Sequence, residues 1–363
     1  MSEIERIIDE CIECNVCVEN CEFLKRVCQS PKELAERFGK GYFRQNPHIP
    51  YSCSLCSLCE ELCPYDLNIG KMCLEIRQQM VKGGLGPLPA HKKFVEKDQE
   101  RVFSDSFTLS LPDPTVRECR QVFFPGCMLS GYSPSLVLKT YDYLRENLPG
   151  TGIILGCCGS PTRELGEEIK FQGMLSQLDS KLKNLGAREI ILACPYCYYT
   201  LKHYAPQFQL KSLYEVMAEV GLPEGVKTQG WTFSLHDSCR ARWEKNLQDS
   251  VRTLVLRMGH QIKEMEYSRD KTRCCGTGGV IVFADFDLAK NVTKRRAEEA
   301  PFDILTYCAT CRETLAREKP AIHILDLIFN PDWEKDRFNP PHKVSVIREN
   351  QLWLKSQLEE RRF

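Results

Sequence analysis

The feature that most constrains this chain is a five-cysteine frame that occurs twice. In each copy a lone cysteine is followed by an adjacent cysteine pair before glycine, and then by a Cys-x2-Cys pair. The frames read Cys-x29-Cys-Cys-x35-Cys-x2-Cys and Cys-x34-Cys-Cys-x32-Cys-x2-Cys, about 115 residues apart. Their cysteines are Cys127, Cys157, Cys158, Cys194 and Cys197, then Cys239, Cys274, Cys275, Cys308 and Cys311. The matching order and spacing indicate an internal duplication.

Composition narrows what these cysteines do. The 363 residues suffice for two or three domains, and Lys plus Arg equals Asp plus Glu at 49, which argues against nucleic acid as the main partner. No apolar run approaches the ~18 residues that a membrane span needs, and the charged N-terminus is unlike a signal peptide. We therefore expect a cytoplasmic protein with no transmembrane span, in which the 21 cysteines bind metal rather than form disulfides.

A second cysteine pattern lies in the N-terminal part of the chain and also occurs twice. It reads Cys-x2-Cys-x2-Cys-x3-Cys, the bacterial ferredoxin run, in which the fourth cysteine ligates the other cluster. This predicts two cubane [4Fe-4S] clusters, one on Cys11, Cys14, Cys17 and Cys63, the other on Cys53, Cys56, Cys59 and Cys21. Zinc is the weaker alternative, because it prefers ligands in Cys-x2-Cys pairs. Glu22, not proline, follows Cys21, so the packing of that half can differ.

Apolar periodicity, glycine and proline divide the chain into four segments. Residues 1–115 are expected to form a helical ferredoxin-like module and its linker, with helices capped by Ser2 and Ser30. Residues 116–230 and 231–335 alternate strands and helices, and each is expected to form a Rossmann-like α/β domain. Residues 336–363 form a polar tail with a helix near 348–359, a candidate docking element through Leu352, Trp353 and Leu358.

The frame cysteines lie just past the carboxyl ends of predicted strands. The strands span residues 122–124, 152–155, 189–192, 232–235, 262–267 and 303–306, and a helix is predicted over about 162–185. Since parallel strands with right-handed crossovers bring these ends to one edge of a sheet, five distant thiols should meet there.

Five thiols exceed the four that a cubane cluster needs, so either one cysteine per frame is spare or the cluster is not a cube. At this point the chain resembles heterodisulfide reductase. The two frames resemble the Cys-Cys-Gly domain of its catalytic subunit, and the N-terminal module resembles its ferredoxin-like subunit, fused into one chain. The resemblance implies a non-cubane [4Fe-4S] cluster in each complete frame, two in all, beside the two cubane clusters.

The resemblance also implies a function. An iron–sulfur oxidoreductase subunit would pass electrons from the cubane clusters to the paired non-cubane clusters, which would reduce a small disulfide or run the reverse thiol oxidation. The alternative is an electron-transfer subunit of an anaerobic respiratory dehydrogenase complex, without disulfide chemistry of its own. Because no flavin or nicotinamide motif is present, the expected partner is a flavoprotein of the heterodisulfide reductase flavin-subunit type or a membrane cytochrome, which would place the chain at the cytoplasmic face of the membrane.

Several residues outside the frames allow two interpretations. Arg240 and Arg242 follow Cys239 and either meet an anionic substrate or are surface residues. His236 and His203 either donate to a cluster sulfur or substrate thiolate, or are structural. The remaining candidates are Tyr196, Tyr198 and Tyr199, expected to shield the first cluster; Cys28, Cys73 and Cys119, expected in the core; and residues 276–279, a glycine-rich stretch expected to approach a cluster closely.

Overall fold

The computed structural model describes residues 1–116, 119–226 and 230–361, and its N-terminal part is helical. A π-helical turn (Lys92–Glu96) connects the last two of its helices. The helices are α1 (Glu3–Glu10), α2 (Val16–Glu19), α3 (Glu22–Val27), α4 (Pro31–Gly39), α5 (His48–Tyr51), α6 (Leu58–Glu61), α7 (Ile69–Lys82), α8 (Pro89–His91) and α9 (Lys97–Phe103).

Local capping fixes where these helices begin. The Ser2 hydroxyl accepts a hydrogen bond from Glu5 N–H, and the Glu5 carboxylate accepts one from Ser2 N–H, which is a complete capping box. The Ser30 hydroxyl accepts a hydrogen bond from Glu33 N–H and caps α4, with Pro31 at the first helical position. The caps predicted at Ser2 and Ser30 are therefore present, and Asn68 adds a third at α7.

The first α/β unit contains a five-stranded sheet in the order β1-β3-β2-β4-β5, parallel except for β1. Its strands are β1 (Leu109–Leu111), β2 (Gln121–Phe124), β3 (Thr151–Leu155), β4 (Glu189–Leu192) and β5 (Gln209–Ser212). Its helices are α10 (Cys127–Tyr132), α11 (Pro134–Asn147), α12 (Ser160–Glu164), α13 (Glu168–Asn184), α14 (Pro195–Tyr204) and α15 (Leu213–Val220).

The second unit repeats this sheet without an equivalent of β1. Its four parallel strands lie in the order β7-β6-β8-β9. They are β6 (Thr232–His236), β7 (Gln261–Glu264), β8 (Ile304–Thr306) and β9 (Ala321–His323). The helices are α16 (Lys245–Arg257), α17 (Phe286–Glu298), α18 (Ala309–Leu315), α19 (Ile324–Phe329), α20 (Trp333–Asp336) and α21 (Val344–Glu360), with 3-10 turns at Cys239–Ala241, Arg269–Lys271 and Gly278–Phe283.

The structure confirms a helical module followed by α/β units with parallel sheets, and it corrects several details. The helix predicted over 162–185 is two helices, because Gly166 adopts a φ of +87° where a side chain would collide with the backbone of Arg77. The strand predicted over 262–267 ends at Glu264, ten residues before Cys274. Strands β1, β5 and β9 were not predicted, and β1 lies before the expected boundary near residue 115 yet pairs with β3.

One apolar core joins both units and the C-terminal helix. Fully buried Leu155 and Leu235 lie in it together with Leu354 of α21. The tail helix packs on α10 and α11 and buries Leu358, while Leu352 and Trp353 stay half-exposed. Gln351 of this helix donates to the carbonyl of Cys127 at 2.7 Å. The tail is thus part of the core and contacts the first frame at Cys127.

Candidate iron–sulfur centres

The two N-terminal cysteine runs share an unusual backbone. Glu13 and Asn15 have positive φ between the first three cysteines of one run, and Leu55 and Ser57 have it at the same places in the other. Left-handed non-glycine residues cost roughly 1–3 kcal/mol each. Because the strained residues recur at matching positions, the two loops have the same curved backbone. Such a backbone fits the binding of a cluster inside each loop.

The thiols of the two runs gather in two places. Cys11, Cys14, Cys17 and Cys63 line one small cavity. A second cavity is lined by Cys21, Cys53, Cys56 and Cys59, with Cys17 and Cys274 at its wall. Burial and the neighbouring thiols of Cys11, Cys63 and Cys14 raise the pKa of Cys17 to about 12. The sets that the structure brings together are those the ferredoxin rule predicts, and their roles as ligands stay predictions.

The second N-terminal set lies against the second α/β unit. The Arg242 guanidinium donates to the Cys56 carbonyl at 3.0 Å and to the Thr272 carbonyl at 2.7 Å. A side chain at Gly278 or Gly279 would collide with the backbone of Ser54 or Cys53. The glycine-rich stretch therefore permits close approach to the backbone of the N-terminal module, and burial together with the nearby charge of Cys274 raises the pKa of Cys56.

The ten frame cysteines form two sets with the same internal order. In the first set the Cys127 and Cys157 sulfurs are 3.6 Å apart. The remaining contacts run from Cys157 to Cys158, on to Cys197 and then to Cys194. The equivalent contacts in the second set run in the order Cys239, Cys274, Cys275, Cys311, Cys308. The duplication thus holds at the level of individual thiols.

The two sets meet through equivalent residues. Cys194 of the first frame interacts with Cys308 of the second, and hydrogen bonds from Cys197 and Cys308 lower the pKa of Cys194. The buried Tyr214 hydroxyl lies 3.1 Å from the Ala193 carbonyl and 2.9 Å from the Tyr307 carbonyl, the residues directly before these two cysteines. Contact between equivalent positions is the mark of a local twofold relation between the units.

Glycine makes the thiol sets possible. Gly126 has a φ of +81°, and a Cβ there would lie 3.1 Å from the Cys197 sulfur and from the Cys194 Cβ. Gly159 and Gly276, at φ of +76° and +108°, follow the adjacent cysteine pairs and turn the chain sharply. Five mostly buried sulfur donors around such turns fit an iron–sulfur group, since thiolates are its usual ligands.

His236 lies beside the second set. The imidazole, Cys275 and Cys311 offer ligand atoms that all lie within 4.8 Å of one another, and all three residues are buried. Burial lowers the pKa of His236 to about 3, so its ring is neutral. Arg296 Nε donates to His236 Nδ1 at 2.9 Å.

Comparison with protein families matches these regions. The family described as "4Fe-4S dicluster domain" matches residues 10–68, and the family described as "Cysteine-rich domain" matches residues 121–202 and again 233–316. The chain thus combines a ferredoxin-like 4Fe-4S dicluster domain with two cysteine-rich domains, and its homologues include a heterodisulfide reductase subunit and related iron–sulfur proteins. This confirms the resemblance drawn from the cysteine frames.

Three of the curated relatives of this chain are oxidoreductases or their subunits. One subunit of "Fumarate reductase (CoM/CoB)" of Methanothermobacter marburgensis is 24% identical, over 89% of this chain and 72% of the relative. "EtfAB:quinone oxidoreductase" of Syntrophomonas wolfei is 24% identical, over 73% of this chain and 43% of the relative. One subunit of "Dihydromethanophenazine:CoB--CoM heterodisulfide reductase" of Methanosarcina barkeri is also 24% identical, over 81% and 76%. No helix in the described ranges 1–116, 119–226 and 230–361 is long and apolar enough to cross a membrane.

The structure places the arginine and histidine candidates that lie outside the cysteine frames. Arg240 is buried and pairs with the buried Glu164 of α12, so neither it nor Arg242 is a surface residue, and Arg242 is held by carbonyls instead of facing a substrate. His203 is exposed and contacts the Tyr199 carbonyl, not a frame cysteine.

The tyrosines and the three cysteines outside the cysteine patterns lie only in part where the sequence predicts them. Tyr196 reaches the second unit, since a Cβ at Gly278 would meet both its hydroxyl and the Cys274 sulfur at 3.2 Å. Cys73 and Cys119 are buried as expected, whereas Cys28 is half-buried. Burial raises the pKa of Cys28 to about 12.

Sequence reasoning missed Arg77, which connects the N-terminal module with both α/β units. Arg77 is fully buried in α7, and its guanidinium donates to the carbonyls of Cys53 at 2.7 Å, Glu164 at 2.7 Å and Gly279 at 3.0 Å. A charged residue next to Ile76 on the apolar face of a predicted helix was the available signal, because a charge is almost never fully buried unless its donors are satisfied.

Proposed function

We propose that this protein is an iron–sulfur oxidoreductase subunit that moves electrons from its N-terminal module to the two cysteine frames, where a small disulfide is reduced or two thiols are oxidised. The proposal assigns the two N-terminal thiol sets to two cubane [4Fe-4S] clusters and the two frames to non-cubane [4Fe-4S] clusters. When bound, such groups supply one-electron transfer at each place.

The observation that carries the proposal is the contact between Cys194 and Cys308. A disulfide needs two electrons to become two thiols, with its sulfur–sulfur bond broken and two protons added. Sites that each deliver one electron must therefore face each other within the length of one small molecule. The local twofold relation, held by the Tyr214 hydroxyl, brings equivalent thiols of the two frames into contact and supports this arrangement.

The position of the N-terminal module supports electron transfer to the second frame first. Cys56 lies near Cys274 and Cys239, so the second N-terminal thiol set adjoins the second frame. The contacts of Arg77, Arg242 and Gly279 hold this junction together. Electrons that enter the N-terminal module would then reach the second frame first.

A cavity of about 370 Å³ supports access by a small substrate. It lies between the units and the tail helix, and Met128 beside Cys127 and Gly276 beside Cys275 both line it. Lys290 and Arg317 lie in its wall together with Glu313 and Glu318, so the wall offers charged groups of both signs. Its volume lies in the range of sites for small molecules, about 300–1,000 Å³.

The second candidate is an electron-transfer subunit without disulfide chemistry. Burial of the frame thiols favours it, because Cys157 and Cys275 expose only 2% and 4% of their surface. The quinone oxidoreductase relative is in keeping with such a role. In either case we propose a partner that carries the two-electron cofactor, a flavoprotein or a membrane cytochrome, the latter placing the chain at the cytoplasmic face of the membrane.

Disulfide turnover driven by an artificial one-electron donor separates the two candidates. Under the leading proposal, Cys157→Ser and Cys274→Ser each abolish turnover, because each frame must serve one sulfur. The N-terminal clusters survive in both variants, since their ligands lie elsewhere. Intact wild-type clusters in both frames whose spectra do not respond to any thiol or disulfide, with no turnover, would favour the electron-transfer subunit.

A further inference from the structure

The imidazole of His236 is held in one tautomer by its neighbours. Arg296 is a donor only, because a guanidinium carries no acceptor. Its Nε donates to His236 Nδ1 at 2.9 Å, and its other end is fixed to the Glu299 carboxylate at 2.8 Å. Nδ1 must therefore be the acceptor, and in the neutral ring the proton lies on Nε2.

This Nε2–H is a buried donor that needs an acceptor. His236 exposes none of its surface, and its Nε2 has no hydrogen-bond partner among the residues that the structure describes. Buried polar groups are almost always paired, so such an orphan points to a ligand or ion that accepts from it. The ligand atoms of Cys275 and Cys311 lie within 4.8 Å of the imidazole, in the place where the second frame is proposed to hold its group.

The same geometry argues against His236 as a ligand. Ligation needs a free lone pair on the ring nitrogen, and the protonated Nε2 offers none while Arg296 occupies Nδ1. We propose that His236 donates a hydrogen bond to a sulfur of the iron–sulfur group in the second frame, that Arg296 holds it in that role, and that the bond makes the second frame easier to reduce than the first. His236 is thus a positioning residue, and this inference rests on the proposed function.

The first frame provides the contrast within the same chain. Phe124 pairs with Leu192 in the first sheet as His236 pairs with Thr306 in the second, and both partners lie two residues before a frame cysteine. Phe124 therefore occupies the place of His236, and its side chain carries no donor. A hydrogen bond to a cluster sulfur stabilises the more negative, reduced state, so reduction potentials depend on such bonds.

The test is a redox titration of the anaerobically purified, iron-loaded protein followed by electron paramagnetic resonance. The signal that Cys311→Ser removes is assigned to the second frame. His236→Phe gives this frame the residue of the first, and we expect its reduction equilibrium to shift at least about tenfold towards the oxidised form, which is about 59 mV for one electron. The first-frame signal should not move.

Three further variants keep the test decisive. His236→Gln retains an N–H donor and should recover part of the shift, whereas His236→Leu lacks a donor and replaces His236→Phe if that variant fails to fold. His260→Phe is the matched control, because His260 is buried in the same unit but packs on Phe233 and Trp333. Unchanged potentials with full iron content in His236→Phe or His236→Leu overturn the inference, and so does loss of iron, which would make His236 a ligand. A wild type without any frame signal would instead overturn the proposed function.

Discussion

The two α/β repeats share a sheet order and a thiol pairing, but different residues surround their thiols. The first frame follows Phe124 and Pro125, an apolar pair, whereas the second follows His236 and Asp237. Asp237 is fully buried and accepts hydrogen bonds from Arg252 at 2.8 Å and from Arg269 N–H at 2.8 Å. The duplication has thus preserved the thiols, while the polar framework is particular to the second repeat.

The two repeats also differ in the length of chain between their first two frame cysteines. Its first two frame cysteines are separated by 34 residues instead of 29. The added chain includes the 3-10 turn at Arg269–Lys271, which Asp237 anchors, and the Thr272 carbonyl that Arg242 binds together with Cys56. The second repeat thus has a surface that fits the N-terminal module, so the two frames are alike in their thiols and differ in their contact with that module.

The largest effect on stability is expected at Arg77, because its buried guanidinium contacts both repeats. Arg77→Met should lower the free energy of unfolding by about 3–5 kcal/mol, since several buried carbonyls lose their donor at about 1–3 kcal/mol each. Denaturant unfolding of the iron-loaded protein measures this. Arg37→Met, which removes a half-buried arginine of α4, is the control and should cost under about 1 kcal/mol. An equal cost for both variants would contradict the role of Arg77.

Alanine at the glycine after each cysteine pair should cost more stability in the second repeat than in the first. Gly276→Ala should cost about 2–4 kcal/mol, because its φ is +108° and its Cβ would lie 2.9 Å from the Ala289 carbonyl. Gly159→Ala should cost about 1–2 kcal/mol, because its φ is +76° and the nearest atom, on Phe171, is 3.1 Å away. Thermal unfolding of both variants under the same conditions provides the comparison. The reverse order would show that the second turn is the more tolerant one.

Removal of the Tyr214 hydroxyl should affect the signals of both frames equally. Tyr214→Phe removes the donor shared by the Ala193 and Tyr307 carbonyls and should cost about 1–2 kcal/mol. It should also weaken the magnetic interaction between the frame signals, because the contact between Cys194 and Cys308 loses its support. Tyr198→Phe on α14 is the control, since that ring is half-buried. A change confined to one frame signal would argue against a shared support.

The smallest effect concerns acid stability of the first repeat. Burial raises the pKa of Asp113, but hydrogen bonds from Thr115 and Gly150 N–H outweigh it, and the pKa is lowered overall. A lowered folded-state pKa contributes stability that is present above the unfolded value near 3.8 and is lost as the pH falls through the folded value. Asp113→Asn should therefore lower stability by about 1 kcal/mol at pH 7 and flatten its fall below pH 4. Parallel acid profiles for variant and wild type would contradict this.

The sequence predicted the parts of the structure that depend on local spacing. The caps at Ser2 and Ser30, most strands and the grouping of the N-terminal thiols follow from residues close in the chain or from a known ligand pattern. The break at Gly166 could not be predicted, because it depends on the backbone of Arg77, nearly ninety positions away. The same holds for Tyr214 and for the Arg296 contact that fixes His236, since each joins elements that only the fold brings together.

The central claim is that the two frames each hold an iron–sulfur group beside the two of the N-terminal module. Iron and sulfide content of the anaerobically purified protein tests it most directly. We expect about 16 iron atoms per chain, four groups of four, and loss of about four in a variant that lacks the thiols of a single frame. Iron near eight per chain, with every cysteine intact and zinc absent, would leave both frames empty and contradict the account.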